Sequence, residues 1–259
     1  MISDARKAEL LSAADFLLKA RGTAKPVDDL SAPMLATSLE EAYFVQDAMA
    51  QKIQPDGILD WKVGAPAPDA APLFCPMIRA WVGADGGTLE GQRYRLRGLE
   101  AEIAFKIGKD LQPRATPYTR EEIIDAIESC HPAIEELESG VTVPAKVARF
   151  TMFSDMQVHG GFVPGPAVAD WQKIDITRES VALAIDGKIE VVRTASNTAG
   201  TDLLRLVLYL ANEGSARTGG LKRGGWITTG SWTGNTFAEA GSHVDVRFST
   251  AGSVSLRFA

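Results

Sequence analysis

Between Gly98 and Gly108 the chain alternates. Ala101, Ile103, Phe105 and Ile107 fall on one side of an extended segment, and Glu100, Glu102, Ala104 and Lys106 on the other. A period of two predicts a β-strand. Successive strand side chains point to opposite faces, so Glu100 and Glu102 point the same way as neighbours. A solvated acidic face on an antiparallel sheet gives the same alternation. Two carboxylates held so close also repel each other unless a proton or a cation stands between them. A hard divalent cation such as Mg²⁺ prefers oxygen ligands of this kind.

The remaining periodicities predict a mixed protein. Residues 4–21 carry a broad apolar helical face of Ala8, Leu10, Leu11, Ala14, Phe16, Leu17 and Leu18, closed by Gly22. Ser38 and Glu41 stand in capping-box spacing before a second helix with Ala42, Phe44, Val45, Ala48 and Met49. Thr119 and Glu122 repeat that spacing and open a helix running to about Cys130. Strands are expected at 81–82, from Thr88 onward, at 100–107, 133–137, 162–163 and 180–185, with Asp186-Gly187 turning the last into 189–192. A helix over 201–212 precedes strands at 226–229, 243–248 and 253–258. Strands with a few separated helices imply an α+β class, a helical N-terminal part over 1–60 and a main domain over 61–259.

Composition narrows the function classes. At 259 residues and 45% hydrophobic, the chain buries a sizeable core. A formal net charge of −6 and no long basic run argue against nucleic acid as a partner. Cys75 and Cys130 are isolated, as in a reducing compartment. The first residues show no apolar signal segment, and Leu203–Leu210 is too short to span a bilayer, so a cytoplasmic protein without a membrane partner is expected.

Three further clusters carry chemistry. In Pro132-Ala133-Ile134-Glu135-Glu136-Leu137-Glu138, a strand would set Glu135 among apolar neighbours, where it needs a partner; the acidic end of a helix is the plainer alternative. Trp61-Lys62-Val63-Gly64 sets a lysine between apolar residues, although surface positions are commoner for lysine. Thr229-Gly230-Ser231-Trp232-Thr233-Gly234 is a Gly- and hydroxyl-rich loop whose N–H groups can approach a small anion, or a plain β-turn.

In order and spacing these clusters resemble the 2-keto-4-pentenoate hydratase branch of the fumarylacetoacetate hydrolase superfamily, which includes 4-oxalocrotonate decarboxylases. The likeness runs nearly end to end: Glu41–Gln46, Lys62, Glu100-x-Glu102, Pro132–Glu135, Gly160–Gly165, Val207–Asn212, Leu221–Gly225, Gly230–Gly234 and Ala251–Phe258. The resemblance implies a mixed β-sheet or β-roll core and a homo-oligomer acting on a small 2-oxo acid. It implies Mg²⁺ or Mn²⁺ held by Glu100, Glu102 and Glu135, with Lys62 beside the substrate and Ser231 and Thr233 near the substrate carboxylate. Asp155 is kept from the family's D-N-A-S-x-G-G motif and joins Lys62 as a candidate catalytic residue.

Three departures mark the reacting end. Gly64-Ala65-Pro66-Ala67 stands where G-L-T-S is usual, and Phe74–Arg79 lacks an expected acidic residue. Asp155-Met156-Gln157-Val158-His159 replaces the motif's Asn and Ser. Arg79 then becomes a candidate for a second substrate carboxylate, and His159 a candidate proton donor. A metal-dependent hydratase is the leading expectation. A decarboxylase, an acylpyruvate hydrolase and a non-catalytic homologue are the alternatives. The hydrolase is disfavoured because no His precedes His131.

Overall fold

The structure, a computed structural model, describes residues 2–259. The helices are α1 (Asp4–Gly22), α2 (Leu39–Ile53), α3 (Arg120–Ala126), α4 (Arg149–Ser154), α5 (Leu204–Ala211) and α6 (Ser215–Thr218). The strands are β1 (Asp60–Gly64), β2 (Leu73–Met77), β3 (Thr88–Leu89), β4 (Gly98–Ile107), β5 (Ile127–Leu137) and β6 (His159–Pro164), then β7 (Ser180–Ile185), β8 (Lys188–Thr194), β9 (Trp226–Thr228), β10 (Thr236–Phe237), β11 (His243–Phe248) and β12 (Ser253–Phe258). They form two sheets, one of seven strands in the order β2-β1-β9-β4-β5-β6 with β10 added to β4, the other of five in the order β3-β12-β11-β7-β8. No helix among the described residues is long and apolar enough to cross a membrane.

The expected elements form where local signals agree with the sheet pairing. Ser38 and Thr119 each accept a backbone N–H three residues on, and Thr119 with Glu122 closes a full capping box. Ser180–Ile185, His243–Phe248 and Ser253–Phe258 are strands with the expected bounds. Four expectations change. The helix opened by Thr119 stops at Ala126, and Ile127 begins β5, because Pro132 bars a helical continuation and the segment pairs instead along β4. Trp81 lies in a 3₁₀ turn over Arg79–Trp81, with Val82 making one bridge to Phe162. The helix placed at 201–212 begins at Leu204. Unexpectedly, Leu73–Met77 is a strand despite Pro76; it lies at the sheet edge, where a missing N–H costs least.

The sheets pack face to face around one core. Trp61, Val63, Ala101, Ile103, Phe105, Ile134 and Ile227 come from the seven-stranded sheet, and Val181, Leu183, Val244, Val246, Val254 and Leu256 from the other, joined by Leu206, Val207 and Leu210 of α5. Each of the Val, Leu, Ile and Phe side chains contributes roughly 1.5–3 kcal/mol by leaving water. A second cluster joins Leu10, Ala13 and Leu17 of α1 to Val45 and Met49 of α2, and continues into Cys75, Ile78, Phe153 and Met156. Alternation along β4 therefore gives Ala101, Ile103 and Phe105 to the inter-sheet core and leaves Glu100 and Glu102 on the sheet's other face.

A three-carboxylate candidate metal site

Antiparallel pairing of β4 with β5 puts Glu100 directly opposite Glu135 and Glu102 opposite the small Ala133. On β4's other edge β9 sets Thr228 opposite Ala104, and parallel pairing sets Thr228 beside Lys62 of β1. Residues between 62 and 228 thereby meet on one face. One carboxylate oxygen from each of Glu100, Glu102 and Glu135 lies within 4.8 Å of the others. Glu102 and Glu135 are 1% and 0% exposed, so this is no solvated face.

The protein takes up part of each carboxylate. Thr228 Oγ1 and the Gly230 N–H, at 2.9 Å, both donate to Glu102 Oε2. Gly230 has φ +91°, a conformation glycine adopts without strain. Lys62 Nζ and His159 Nδ1 both reach Glu135 Oε1, at 2.7 and 2.8 Å, while Glu135 Oε2 is buried without a partner. Ser231 stands beside Glu100 and favours its charged form, and its Oγ accepts the Gly234 N–H at 2.9 Å. A carboxylate only accepts, so the ring proton of neutral His159 sits on Nδ1, and Nε2 is bare and buried.

Electrostatics follow from this crowding. Burial and the neighbouring Glu135 push Glu100 up to about 7. Burial, then Glu135 and Glu100, hold Glu102 well above the usual carboxylate range. Burial acts on Glu135 too, but the Lys62 ammonium and His159 more than offset it and hold it at about 2. Burial alone would lower Lys62; Glu135, Glu100 and Glu102 reverse this and raise it. Burial lowers His159 despite its bond to Glu135. Fully ionised, the three convergent carboxylates outnumber the one ammonium, and the raised Glu100 and Glu102 show how poorly the metal-free site holds that charge. An orphaned buried oxygen on Glu135 and an all-oxygen donor set fit a hard divalent cation.

Lys62, His159 and Ser231 are thus assembled with the three glutamates. Thr233 is at one remove: its Oγ1 accepts from the Ala101 N–H at 3.1 Å and fastens the loop to β4. The other two candidates lie elsewhere. Arg79 grips Asp60 through Nε and Nη2, each at 2.7 Å. Asp155 takes Arg21 Nε at 2.5 Å on one oxygen, and Ser139 Oγ at 2.5 Å with the Gly140 N–H at 2.8 Å on the other. These contacts tie α1 to the loop before His159. Sequence reasoning missed Thr228, for which a hydroxyl beside the Gly-rich loop was the only signal. It also missed Gln157, whose backbone carbonyl accepts from Lys62 at 3.3 Å and gives no signal in a sequence.

Fold and site together define a protein of the fumarylacetoacetate hydrolase fold with an acidic three-carboxylate centre. No protein-family model matches the chain. It is 25% identical to the TodF product hydratase of Pseudomonas putida over 279 aligned positions, covering 100% of this chain and 98% of that protein. It is 27% identical over 180 residues to a 4-oxalocrotonate decarboxylase of a Pseudomonas species, covering 68% of this chain and 65% of the relative. Among solved structures, the 4-oxalocrotonate decarboxylase of Pseudomonas putida G7 complexed with magnesium and adipate superposes with a TM-score of 0.83, at 21% identity, over 97% of this chain and 98% of that one. The same enzyme complexed with calcium and acetate gives 0.82. A 2-hydroxyhepta-2,4-diene-1,7-dioate isomerase of Mycobacterium marinum gives 0.55 at 18% identity, over 78% and 75%. At these identities the solved structures speak for the fold. The two relatives support the hydratase and decarboxylase branch that the motif order resembles.

Proposed function

We propose that this chain is a divalent-metal-dependent lyase of the hydratase type, adding water to a small 2-hydroxy-dienoate or 2-oxo-enoate of the kind formed in meta-cleavage of aromatic compounds. The observation that carries the reading is the convergence of Glu100, Glu102 and Glu135 beside Lys62. The three glutamates would hold Mg²⁺ or Mn²⁺. Such a cation, when bound, supplies Lewis-acid polarisation of a 2-oxo acid carbonyl. Lys62 is the residue positioned to hold and hand on a proton, since its three donors are only partly taken by Glu135 and Gln157. His159 fixes Glu135. The loop over Gly230–Gly234 turns Ser231 toward the substrate carboxylate, with Thr233 as its anchor. The reading carries a cytoplasmic homo-oligomer with it.

The 4-oxalocrotonate-type decarboxylase is the second reading, supported by the relative and the solved structures of that name. Both reactions use the same three glutamates. The test is metal-dependent loss of the ultraviolet absorbance of 2-hydroxypenta-2,4-dienoate by wild type and Glu102→Gln, with product analysis for CO₂. Turnover without CO₂ that vanishes in the variant establishes the hydratase. CO₂ release from a 2-oxo-dioic acid moves the chain to the decarboxylases. Metal binding without turnover of either compound sinks both.

A further inference from the structure

Met156, Gln157 and Val158 have φ of +56°, +49° and +63°, three consecutive non-glycine residues in the left-handed region. Single left-handed residues are ordinary, but a run of three is not, and a β-branched side chain such as Val158 is the least suited to it. Strain of this kind persists only where the surroundings over-determine it, and it gathers at functional sites. Here the surroundings are explicit. The Asp155 and His159 carbonyls each accept from Arg21 at 2.8 Å, the Val158 carbonyl from the Glu138 N–H at 2.9 Å, and Gln157 Nε2 donates to the Phe74 carbonyl at 3.1 Å.

What this turn accomplishes is visible at its two outputs. Its middle residue aims a carbonyl at Lys62 Nζ, 3.3 Å away. The residue that follows it carries His159 Nδ1 onto Glu135 Oε1 at 2.8 Å. Lys62 reaches the same oxygen, so two groups set by one turn occupy Glu135 Oε1 and leave Oε2 bare in the interior. We infer that the left-handed turn Met156–Val158 is a positioning element: through the Gln157 carbonyl and the His159 ring it fixes Lys62 and selects Oε2 as the one Glu135 oxygen presented to a divalent cation. None of its three residues needs to touch cation or substrate. The inference rests on the metal-binding reading above.

The test is Mn²⁺ binding by the purified full chain, read as the loss of the free-ion paramagnetic resonance signal, for wild type, Gln157→Gly, Gln157→Val and Gln157→Pro. All three variants lose the side-chain bond to Phe74, so differences among them report the backbone. Glycine enters the left-handed region freely, valine resists it, and proline is locked near −65° and excluded from it. Gln157→Val is expected to bind about threefold to tenfold more weakly than Gln157→Gly, and Gln157→Pro weaker again by about tenfold or more, the scale of a lost supporting contact at a metal centre. Should the proline variant fail to fold, the glycine–valine comparison decides. Equal affinity in those two, whatever their melting temperatures, leaves the turn a strained connection with no part in the site and overturns the inference. If wild type itself binds no Mn²⁺, the metal reading fails first and takes this inference with it.

Discussion

Glu135 and Glu138 lie three residues apart on the same stretch of chain, both buried, and their oxygens fare differently. Glu138 Oε2 accepts the Arg95 and Leu96 N–H groups at 2.5 and 2.7 Å, and Oε1 accepts the Ser139 N–H at 2.8 Å. Asp155 beside it is equally saturated, by Arg21, Ser139 and Gly140. Glu135 spends one oxygen on Lys62 and His159 and leaves the other bare. Burial of charge does not separate the two regions, since Asp155 and Glu135 are both 0% exposed. Lone pairs left over, converging with those of other carboxylates, do; Glu136 also has both buried oxygens unpaired, but beside Arg93 and Arg21 rather than in the three-glutamate cluster. A saturated network holds chain segments together, and a centre with spare, converging oxygens has capacity for a ligand. The two regions are joined, because Arg21 grips the His159 carbonyl that precedes the site at 2.8 Å.

The largest effect is expected in the saturated region. Arg21→Met leaves the Asp155 carboxylate buried and without its cation, which costs about 3–5 kcal/mol of folding stability. Urea unfolding measures it. A loss under about 1 kcal/mol would erase the distinction drawn between a structural network and a site, because removing one partner of a buried pair is normally severe. Glu102→Gln is expected to do the opposite to the metal-free protein. It removes one of three mutually repelling carboxylates and so raises the melting temperature. It also weakens Mg²⁺ or Mn²⁺ binding by more than about a hundredfold, since residues outside a ligand set already cost ~10–100-fold. The check is the thermal shift on adding metal. At a hundred times the dissociation constant, wild type gains about 2.7 kcal/mol, and the variant is expected to gain almost none at that concentration. A lowered melting temperature without metal would place Glu102 among the structural carboxylates instead.

Thr228→Val sharpens the comparison at intermediate size. The change is close to isosteric and removes only the hydroxyl that orients Glu102 Oε2. Metal affinity is expected to fall about tenfold with turnover following it, and calorimetric titration with Mn²⁺ reads the change directly. An unchanged affinity would show that the Gly230 N–H suffices to hold Glu102.

How much of this was legible in the sequence depended on where each partner lies. The alternation in β4 identified Glu100 and Glu102 because the signal is local and the strand period is two. Gly187, the Ser38 N-cap and the Thr119 capping box were legible for the same reason. Pro76 hid β2, since an edge position that tolerates proline is defined only by the assembled sheet. Arg79 and Asp155 show a charge in the sequence but not its destination. Their partners, Asp60 and Arg21, stand 19 and 134 residues away. The long-range register that brings Lys62, Thr228 and Glu135 together carries no local pattern; the family resemblance supplied Lys62 and Glu135 and left Thr228 unseen.

The smallest effect tests saturation without deep burial. Glu41 takes Arg6 on both oxygens at 2.8 Å, with the Thr37 N–H at 2.7 Å, at the surface where α1 meets α2. The Arg6 bonds hold its carboxyl at about 2, below the ordinary 4.5. A carboxyl depressed on folding binds protons more readily when the chain is unfolded. Its contribution is therefore complete above about pH 4.5 and is lost as pH falls toward 2. Glu41→Gln removes the contribution, so the difference in melting temperature between wild type and variant should be constant from pH 7 to about 5 and shrink steadily below that. The pair is half-buried and still partly screened by water, and the plateau is expected to be small beside the loss in Arg21→Met. A difference that stays constant down to pH 3 would mean that Glu41 serves as a hydrogen-bond acceptor for the α2 entry and not as a charge. The contrast would then lie in burial rather than in how fully each carboxylate is paired.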